Sequence, residues 1–262
     1  MLITGASAGI GRATADRLHR SGWQVIGASR RGTASGGWSG MVMDVDSEDS
    51  VSSGVAAVLE QHGRLDAVVA NAGWGLAGAV EQTAISDAKD QLETNFWGAV
   101  RLVQAALPTM RSQGGGRLVL VSSIGGLIGI PFQAFYSASK FALEGYGEAL
   151  AYEVAPFGIE VCLIEPGNIR TEFTANRRDV SVPAGDETYA AAVRKAVGLM
   201  ERDEANGASA EKAAAAIEKV LSGERMPRRR TVGKLEERAG SFAKRLIPYR
   251  LFERAAKSSL GV

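Results

Sequence analysis

Short runs rich in Val, Ile and Leu, without polar alternation, recur along this chain between longer amphipathic stretches. A strand with one wet face alternates, whereas a strand without alternation is covered on both faces, as in a parallel sheet. Leu65–Ala70, Arg117–Ser122 and Ile159–Glu165 read this way, with shorter strands at Leu2–Thr4, Trp23–Ala28 and Gly40–Met43. Helices fall between them at Ile10–Ser21, Ser47–Gln61, Ile85–Met110 (one helix or two) and Ala134–Val154. Regular β–α alternation with short links predicts an α/β fold, a doubly wound parallel β-sheet in three layers with about seven strands.

After Pro166 the pattern changes. Residues 168–208 are polar and are expected to form a lid-like insertion over the C-terminal edge of the sheet, the ligand side of such folds. Ser209–Ser222 reads as a helix capped by Ser209, with Glu211 in its first turn. Arg229–Val232 reads as a seventh strand. We therefore expect one main domain over residues 1–225, with residues 226–262 adding the last strand and a basic amphipathic tail. At 262 residues the chain is long enough for one full core.

Charge and rare residues narrow the function classes. Residues 225–262 hold eleven Lys/Arg and three Glu, while the other 224 residues hold nineteen basic and twenty-six acidic groups. An acidic body does not suggest nucleic-acid binding. The single cysteine, Cys162, excludes an internal disulfide and reads as a buried strand residue. A reducing, cytoplasmic setting is expected. His19 and His62 are the only histidines, so no metal centre is expected. No apolar run approaches the ~18 residues of a transmembrane helix. The chain opens on a strand with no signal segment. That first strand is short: either the start lies upstream or the strand is shortened here.

Thr4-Gly5-Ala6-Ser7-Ala8-Gly9-Ile10-Gly11 joins the first strand to the first helix. Its three glycines let the backbone turn tightly and let phosphates approach the unpaired N–H groups of the helix N-terminus. The position predicts dinucleotide binding. At the end of the second strand stand Ser29, Arg30 and Arg31, with no carboxylate for a ribose 2′-hydroxyl. Arg30 suits a 2′-phosphate, which favours NADP(H) over NAD(H).

Tyr136 and Lys140 lie one helical turn apart on one face, with Ser123 thirteen residues upstream. A free phenol titrates near pH ~10, and a neighbouring cation lowers that value, so the pair can serve as an acid/base.

Together these motifs resemble the short-chain dehydrogenases/reductases over about residues 1–225. The matches are T-G-x-x-x-G-x-G at Thr4–Gly11, Asn71-Ala72-Gly73, Asn95, Ser123, Y-x-x-x-K at Tyr136–Lys140 and Pro166-Gly167. The resemblance implies a Rossmann fold and a set of roles. Tyr136 is the acid/base, Ser123 holds the reacting oxygen, and Lys140 lowers the Tyr136 pKa and binds the nicotinamide ribose. Asn95 holds a water that links Lys140 to a proton relay. Gly5, Ser7, Gly9, Ile10 and Gly11 would surround the pyrophosphate, and Asp44, Val45, Asn71, Ala72 and Gly73 the adenosine. Pro166, Gly167, Ile169 and Thr171 would border the nicotinamide. Two departures are Ala70 in place of an Asn before Asn71, and the short strand under the phosphate loop.

Ile124–Phe135 is an apolar loop just after Ser123, and Trp74, Phe96 and Phe173 lie near matched positions, Phe96 facing the core. Such a cleft suits a small hydrophobic ketone or alcohol; steroid, retinoid, aromatic and lipid-derived molecules all fit. A homodimer or homotetramer is implied, with Ile85–Met110 and Ala134–Val154 at the interface. The tail sets Phe242, Leu246, Ile247, Tyr249, Leu251 and Phe252 among Lys244, Arg245, Arg250 and Arg254. It is expected to pack on its own domain, with an anionic membrane surface as the alternative. Two other functions share these motifs: a nucleotide-sugar epimerase or dehydratase, and a non-catalytic NADP(H) sensor.

Overall fold

The computed structural model describes residues 1–182, 185–244 and 246–260, without the side chains of 241, 242, 255, 256 and 258–260. The expected tail residues Phe242 (its side chain) and Arg245 lie outside the described residues. Seven parallel strands form the central sheet: β1 Leu2–Thr4, β2 Ile26–Ser29, β3 Ser39–Val42, β4 Ala67–Ala70, β5 Gly116–Val121, β6 Ile159–Pro166 and β7 Arg229–Val232. Their order is β7-β6-β5-β4-β1-β2-β3, with the reversal of direction between β1 and β4. This is the doubly wound arrangement, whose ligand crevice opens at the C-terminal ends of the strands beside that reversal.

Side-chain alternation explains why the strands read as continuous apolar runs. Leu118, Leu120, Val161 and Leu163 enter one core with Val55, Leu102 and Leu150. Val119, Val121, Cys162 and Ile164 enter the other with Ala15, Leu18 and Ile217. Successive residues point to opposite faces, and both faces are dry. Helix α1 (Gly9–Arg20) packs beside the later Ala210–Ser222 helix, tied by Arg17 to Glu218 at 2.5 Å. Helix α2 (Glu48–His62) is capped by Ser47 Oγ, which accepts from the Ser50 amide, and stops at Gly63 in the left-handed region (φ 68°).

The expected 85–110 helix is two helices, α3 (Ile85–Leu92) and α4 (Gly98–Ser112), joined by a π-helical turn at Glu93–Trp97. Helix α5 (Ala134–Glu153) carries Tyr136 and Lys140. The 168–208 segment contributes α6 (Ala190–Ala205) and is fastened to the body by two short parallel ribbons. Ile169–Arg170 pairs with Ala208–Ser209, and Leu76–Ala77 pairs with Arg178–Asp179. Helix α7 (Ala210–Ser222) is capped by Ser209 Oγ. Beyond β7, α8 (Leu235–Ala243) reaches the rim of the crevice, and α9 (Tyr249–Leu260) follows. Among the described residues no helix is long and apolar enough to cross a membrane.

Candidate active site

The loop from Thr4 to Gly11 owes its shape to glycine. Gly5 and Gly9 have φ of 67° and 53°, the left-handed region that side chains avoid. Gly11 is buried against the Gly5 carbonyl and the Asn71 amide, where a Cβ would collide with both. Asn71 Nδ2 donates to the carbonyl oxygens of Thr4 and Gly5 at 3.0 and 3.3 Å. The amides of Asn71 and Ala72 donate to Thr4 Oγ1 at 3.1 and 3.2 Å. The loop is therefore well supported although the first strand, a departure from the family pattern, is short. Side-chain hydrogen bonds supplement the short ladders that β1 makes with β2 and β4.

At the far end of the loop the Gly9 amide donates to Glu172 Oε2 at 3.0 Å. A carboxylate oxygen thus rests on this helix N-terminus, where the free N–H groups and the helix dipole favour negative charge.

A cleft of about 950 Å³ starts at this loop and crosses the C-terminal ends of the strands. One end is walled by Arg30 and Arg31, by Asp44 and Val45, and by Asn71, Ala72 and Gly73. Gly5, Ser7, Gly9 and Ile10 line its middle. The other end holds Ser123, Tyr136 and Lys140, with Pro166, Gly167, Ile169 and Thr171 along the rim. Of the expected residues, Gly11 lies under the loop and Asn95 behind the wall.

Lys140 Nζ lies 6.0 Å from the Tyr136 ring centre and donates to the Val121 carbonyl at 2.9 Å. Both side chains are buried. Burial pushes the Tyr136 phenol up to about 12, opposed by its bond to Ser123; the Glu204 charge adds to the rise and Arg177 counters it. Burial pushes Lys140 down to about 8, opposed by the Glu144 carboxylate. Lys140, expected from sequence to lower the phenol, is not among these causes; the groups that lower it are Ser123 and Arg177. The ammonium turns to a backbone carbonyl, and the phenol keeps its proton at neutral pH.

Ser123 Oγ accepts from the Gly125 amide at 3.0 Å and donates to the Pro166 carbonyl at 3.4 Å. Asn95 sits in the π-helical turn and is almost wholly buried. Its Oδ1 accepts from the Trp74 amide at 3.0 Å, and its Nδ2 donates to the Trp74 carbonyl at 3.0 Å and to Ser139 Oγ at 3.1 Å. Ser139 Oγ in turn donates to the Tyr136 carbonyl at 2.7 Å. Gly73 lies between Asn95 and Lys140: a Cβ there would stand 3.0 Å from Asn95 Oδ1 and 3.7 Å from Lys140 Nζ. Asn95 is thus tied through Ser139 to the Tyr136 backbone, and Gly73 leaves room between Asn95 and Lys140.

Beyond the tyrosine the cleft is lined by Ile128, Ile130, Trp74, Phe173 and Met200. The Phe173 ring stands edge-on to Tyr136 with centres 5.7 Å apart. Phe96 packs into the core, edge-on to Tyr146 at 6.0 Å. The sequence reading missed the charged members of this wall. Arg178 lies over the Trp74 ring at 4.2 Å, and Glu172, Asp203 and Glu204 also line the cleft. In a polar stretch nothing separates such residues from solvated ones.

Residues 1–181 match the family model for short chain dehydrogenases. The 3-ketodihydrosphingosine reductase of Bacteroides thetaiotaomicron is 41% identical over 258 residues, 98% of this chain and 96% of that protein. Retinol dehydrogenase 8 of Bos taurus is 40% identical over 188 residues, 66% of this chain and 60% of its own length. The crystal structure of a short-chain dehydrogenase from Streptomyces avermitilis has a TM-score of 0.82 at 34% identity, covering 98% of this chain and 96% of that one. Sequence, loop geometry and likeness agree: the chain belongs to the short-chain dehydrogenase/reductase family, oxidoreductases acting on CH–OH groups.

Proposed function

We propose that the chain is an NADP(H)-dependent oxidoreductase that interconverts a hydrophobic ketone or aldehyde and the corresponding alcohol. The observation that carries this reading is the convergence of Ser123, Tyr136 and Lys140 at one end of a cleft whose middle is an anion-accepting glycine loop. Tyr136 Oη gives its proton to the carbonyl oxygen in reduction and takes it back in oxidation. Ser123 Oγ holds that oxygen and stabilises the charge that develops on it. Lys140 binds the ribose hydroxyls, and Asn95 fixes the turn beside it. A bound nicotinamide supplies the hydride.

Arg30 and Arg31 on the adenosine end, with no carboxylate ending β2, support NADP(H) over NAD(H). The apolar wall and the 41% identity to a 3-ketodihydrosphingosine reductase support a lipid-derived ketone. The presence of both Tyr136 and Lys140 in the cleft disfavours a non-catalytic sensor. Exposed Trp97 and Tyr152, on the outer faces of the π-helical turn and α5, support a homo-oligomer through these helices. Residues 1–225, completed by β7, act as one catalytic domain in the cytoplasm.

Oxidation of NADPH with a panel of long-chain, steroid and retinoid carbonyls, followed by its absorbance, tests the reading. Tyr136→Phe lowers kcat by about 10²–10⁴-fold while NADPH affinity stays within about twofold. Undiminished turnover in that variant would overturn the assignment. Arg30→Ala weakens NADPH by roughly tenfold or more and leaves NADH nearly unchanged; equal losses would remove Arg30 as the phosphate reader.

A further inference from the structure

The chain after β7 is fastened beside the mouth of the cleft, yet it leaves large apolar side chains in water. Glu237 Oε1 on α8 accepts from the Asn168 amide at 3.3 Å and from Asn168 Nδ2 at 2.8 Å. Just past α8, Lys244 Nζ donates to the Leu127 carbonyl at 2.9 Å and lies 5.1 Å from the Phe141 ring centre. Helix α9 then packs beside α6, with Phe252 half-buried. These contacts fix the path of the tail along the two loops that border the proposed substrate end.

From α8 into α9 the chain reads Leu246-Ile247-Pro248-Tyr249-Arg250-Leu251. Leu246 is 77% exposed, Tyr249 69% and Leu251 55%, and Ile247 is exposed with them. Four large apolar side chains within six residues form a cluster of the kind that marks an interaction surface. Its rim is basic. Arg250, Arg254 and Lys257 stand at i, i+4 and i+7, on one side of α9. Lys257 pairs with Glu253 at 3.0 Å, whereas among the described residues Arg250 and Arg254 have no carboxylate partner. Residues 244–257 hold five Lys/Arg and one Glu, while residues 1–224 hold nineteen basic and twenty-six acidic groups. An anionic surface therefore attracts this face and repels the rest of the molecule. Apolar tips beside unpaired arginines match an interfacial segment, whose tips enter the acyl boundary while its cations stay at the phosphates.

We infer that residues 246–257 dock the protein peripherally on an anionic lipid bilayer. Leu246, Ile247, Tyr249 and Leu251 enter the headgroup boundary, and Arg250 and Arg254 meet the lipid phosphates. The mouth of the cleft then lies at the membrane surface, and an apolar ligand passes between bilayer and cleft without crossing water. The docking does not rest on the reductase reading, because it is measured without turnover.

The test is co-sedimentation of the full chain with vesicles of mixed phosphatidylglycerol and phosphatidylcholine, beside vesicles of phosphatidylcholine alone. The wild type binds the anionic vesicles about tenfold or more tightly than the neutral ones, and raising salt from about 0.05 to about 0.5 M releases it. Arg250→Ala combined with Arg254→Ala weakens that binding by about thirtyfold. Leu246→Ser combined with Leu251→Ser weakens it by roughly tenfold or more. Both double variants keep the NADPH affinity of the wild type, which shows that they are folded. Absence of binding to anionic vesicles, equal binding to the two vesicle types, or undiminished binding of either double variant would overturn the inference. The rival occupant is a second copy of this chain. If sedimentation velocity without lipid shows the leucine variant as a smaller species than the wild type, the patch is a subunit contact and the inference is overturned; an unchanged species supports it.

Discussion

At the scale of single residues, the two groups central to the proposed chemistry are both displaced by burial, in opposite senses. The phenol of Tyr136 rises to about 12 and the ammonium of Lys140 falls to about 8. Among the described residues no carboxylate lies within ion-pair distance of buried Lys140, and such a lysine is a stability cost carried at the site. Lys140 has a folded pKa below its unfolded one, so the folded state binds fewer protons between about pH 8 and 10.5. The cost is therefore full below about pH 8 and is relieved as pH rises through that window. Lys140→Met is expected to be inactive yet more stable at pH 7, by about 1–3 kcal/mol, with the gain shrinking towards pH 10. Melting curves of both proteins at the two pH values check this; a variant less stable at pH 7 would count against a desolvated ammonium. The Tyr136–Lys140 spacing was visible in the sequence, whereas the direction of the pKa shifts was not. Spacing along a helix says which groups are neighbours, but their charge states depend on what other elements bury them.

At the scale of elements, legibility followed length and period. Strand β7 lies at Arg229–Val232, where the register of Arg-Thr-Val-Gly-Lys put it, and Ser209 caps the helix it precedes, while Ser47, expected to begin its helix, caps it instead. The second strand begins at Ile26 rather than Trp23, because the Trp23 amide still bonds the Leu18 carbonyl at 3.0 Å and closes the preceding helix. The π-helical turn that holds Asn95 was invisible, since one extra residue in a turn leaves the apolar pattern nearly intact. The two ribbons that fasten the 168–208 insertion were equally hidden: two residues have no period to detect. Those ribbons hold the wall that carries Phe173, Arg177 and Glu204. Val180→Pro removes the amide that donates to the Ala77 carbonyl at 2.8 Å and unlatches one of them. The expected result is a three- to tenfold rise in ketone KM, on the order of one lost hydrogen bond, with NADPH affinity little changed. Steady-state kinetics alongside cofactor titration separates the two; a matching loss in cofactor affinity would show that the ribbon supports the whole cleft.

At the scale of the molecule, the segment after β7 lies at the mouth of the cleft. Glu237 on α8 accepts from Asn168 Nδ2 at 2.8 Å, and Lys244 Nζ donates to the Leu127 carbonyl at 2.9 Å. The segment after β7 thus touches both the Pro166–Asn168 turn and the loop beyond Ser123, while Leu246, Tyr249 and Leu251 stay exposed. Across the cleft, the insertion sends Glu172 to the Gly9 amide. If the proposed pyrophosphate takes that amide, it displaces a residue of the insertion that also walls the proposed ketone end. Glu172→Gln, which weakens the competing bond, is expected to tighten NADPH by about two- to tenfold in a fluorescence titration. Unchanged or weaker affinity would mean that the contact and the cofactor coexist. The kinetic corollary is a compulsory order of addition, dinucleotide before ketone, readable as uncompetitive inhibition by a ketone analogue against NADPH. Within the wall of its cleft the chain thus carries a carboxylate seated on the amide proposed for its cofactor, so that loading the one site would loosen the other.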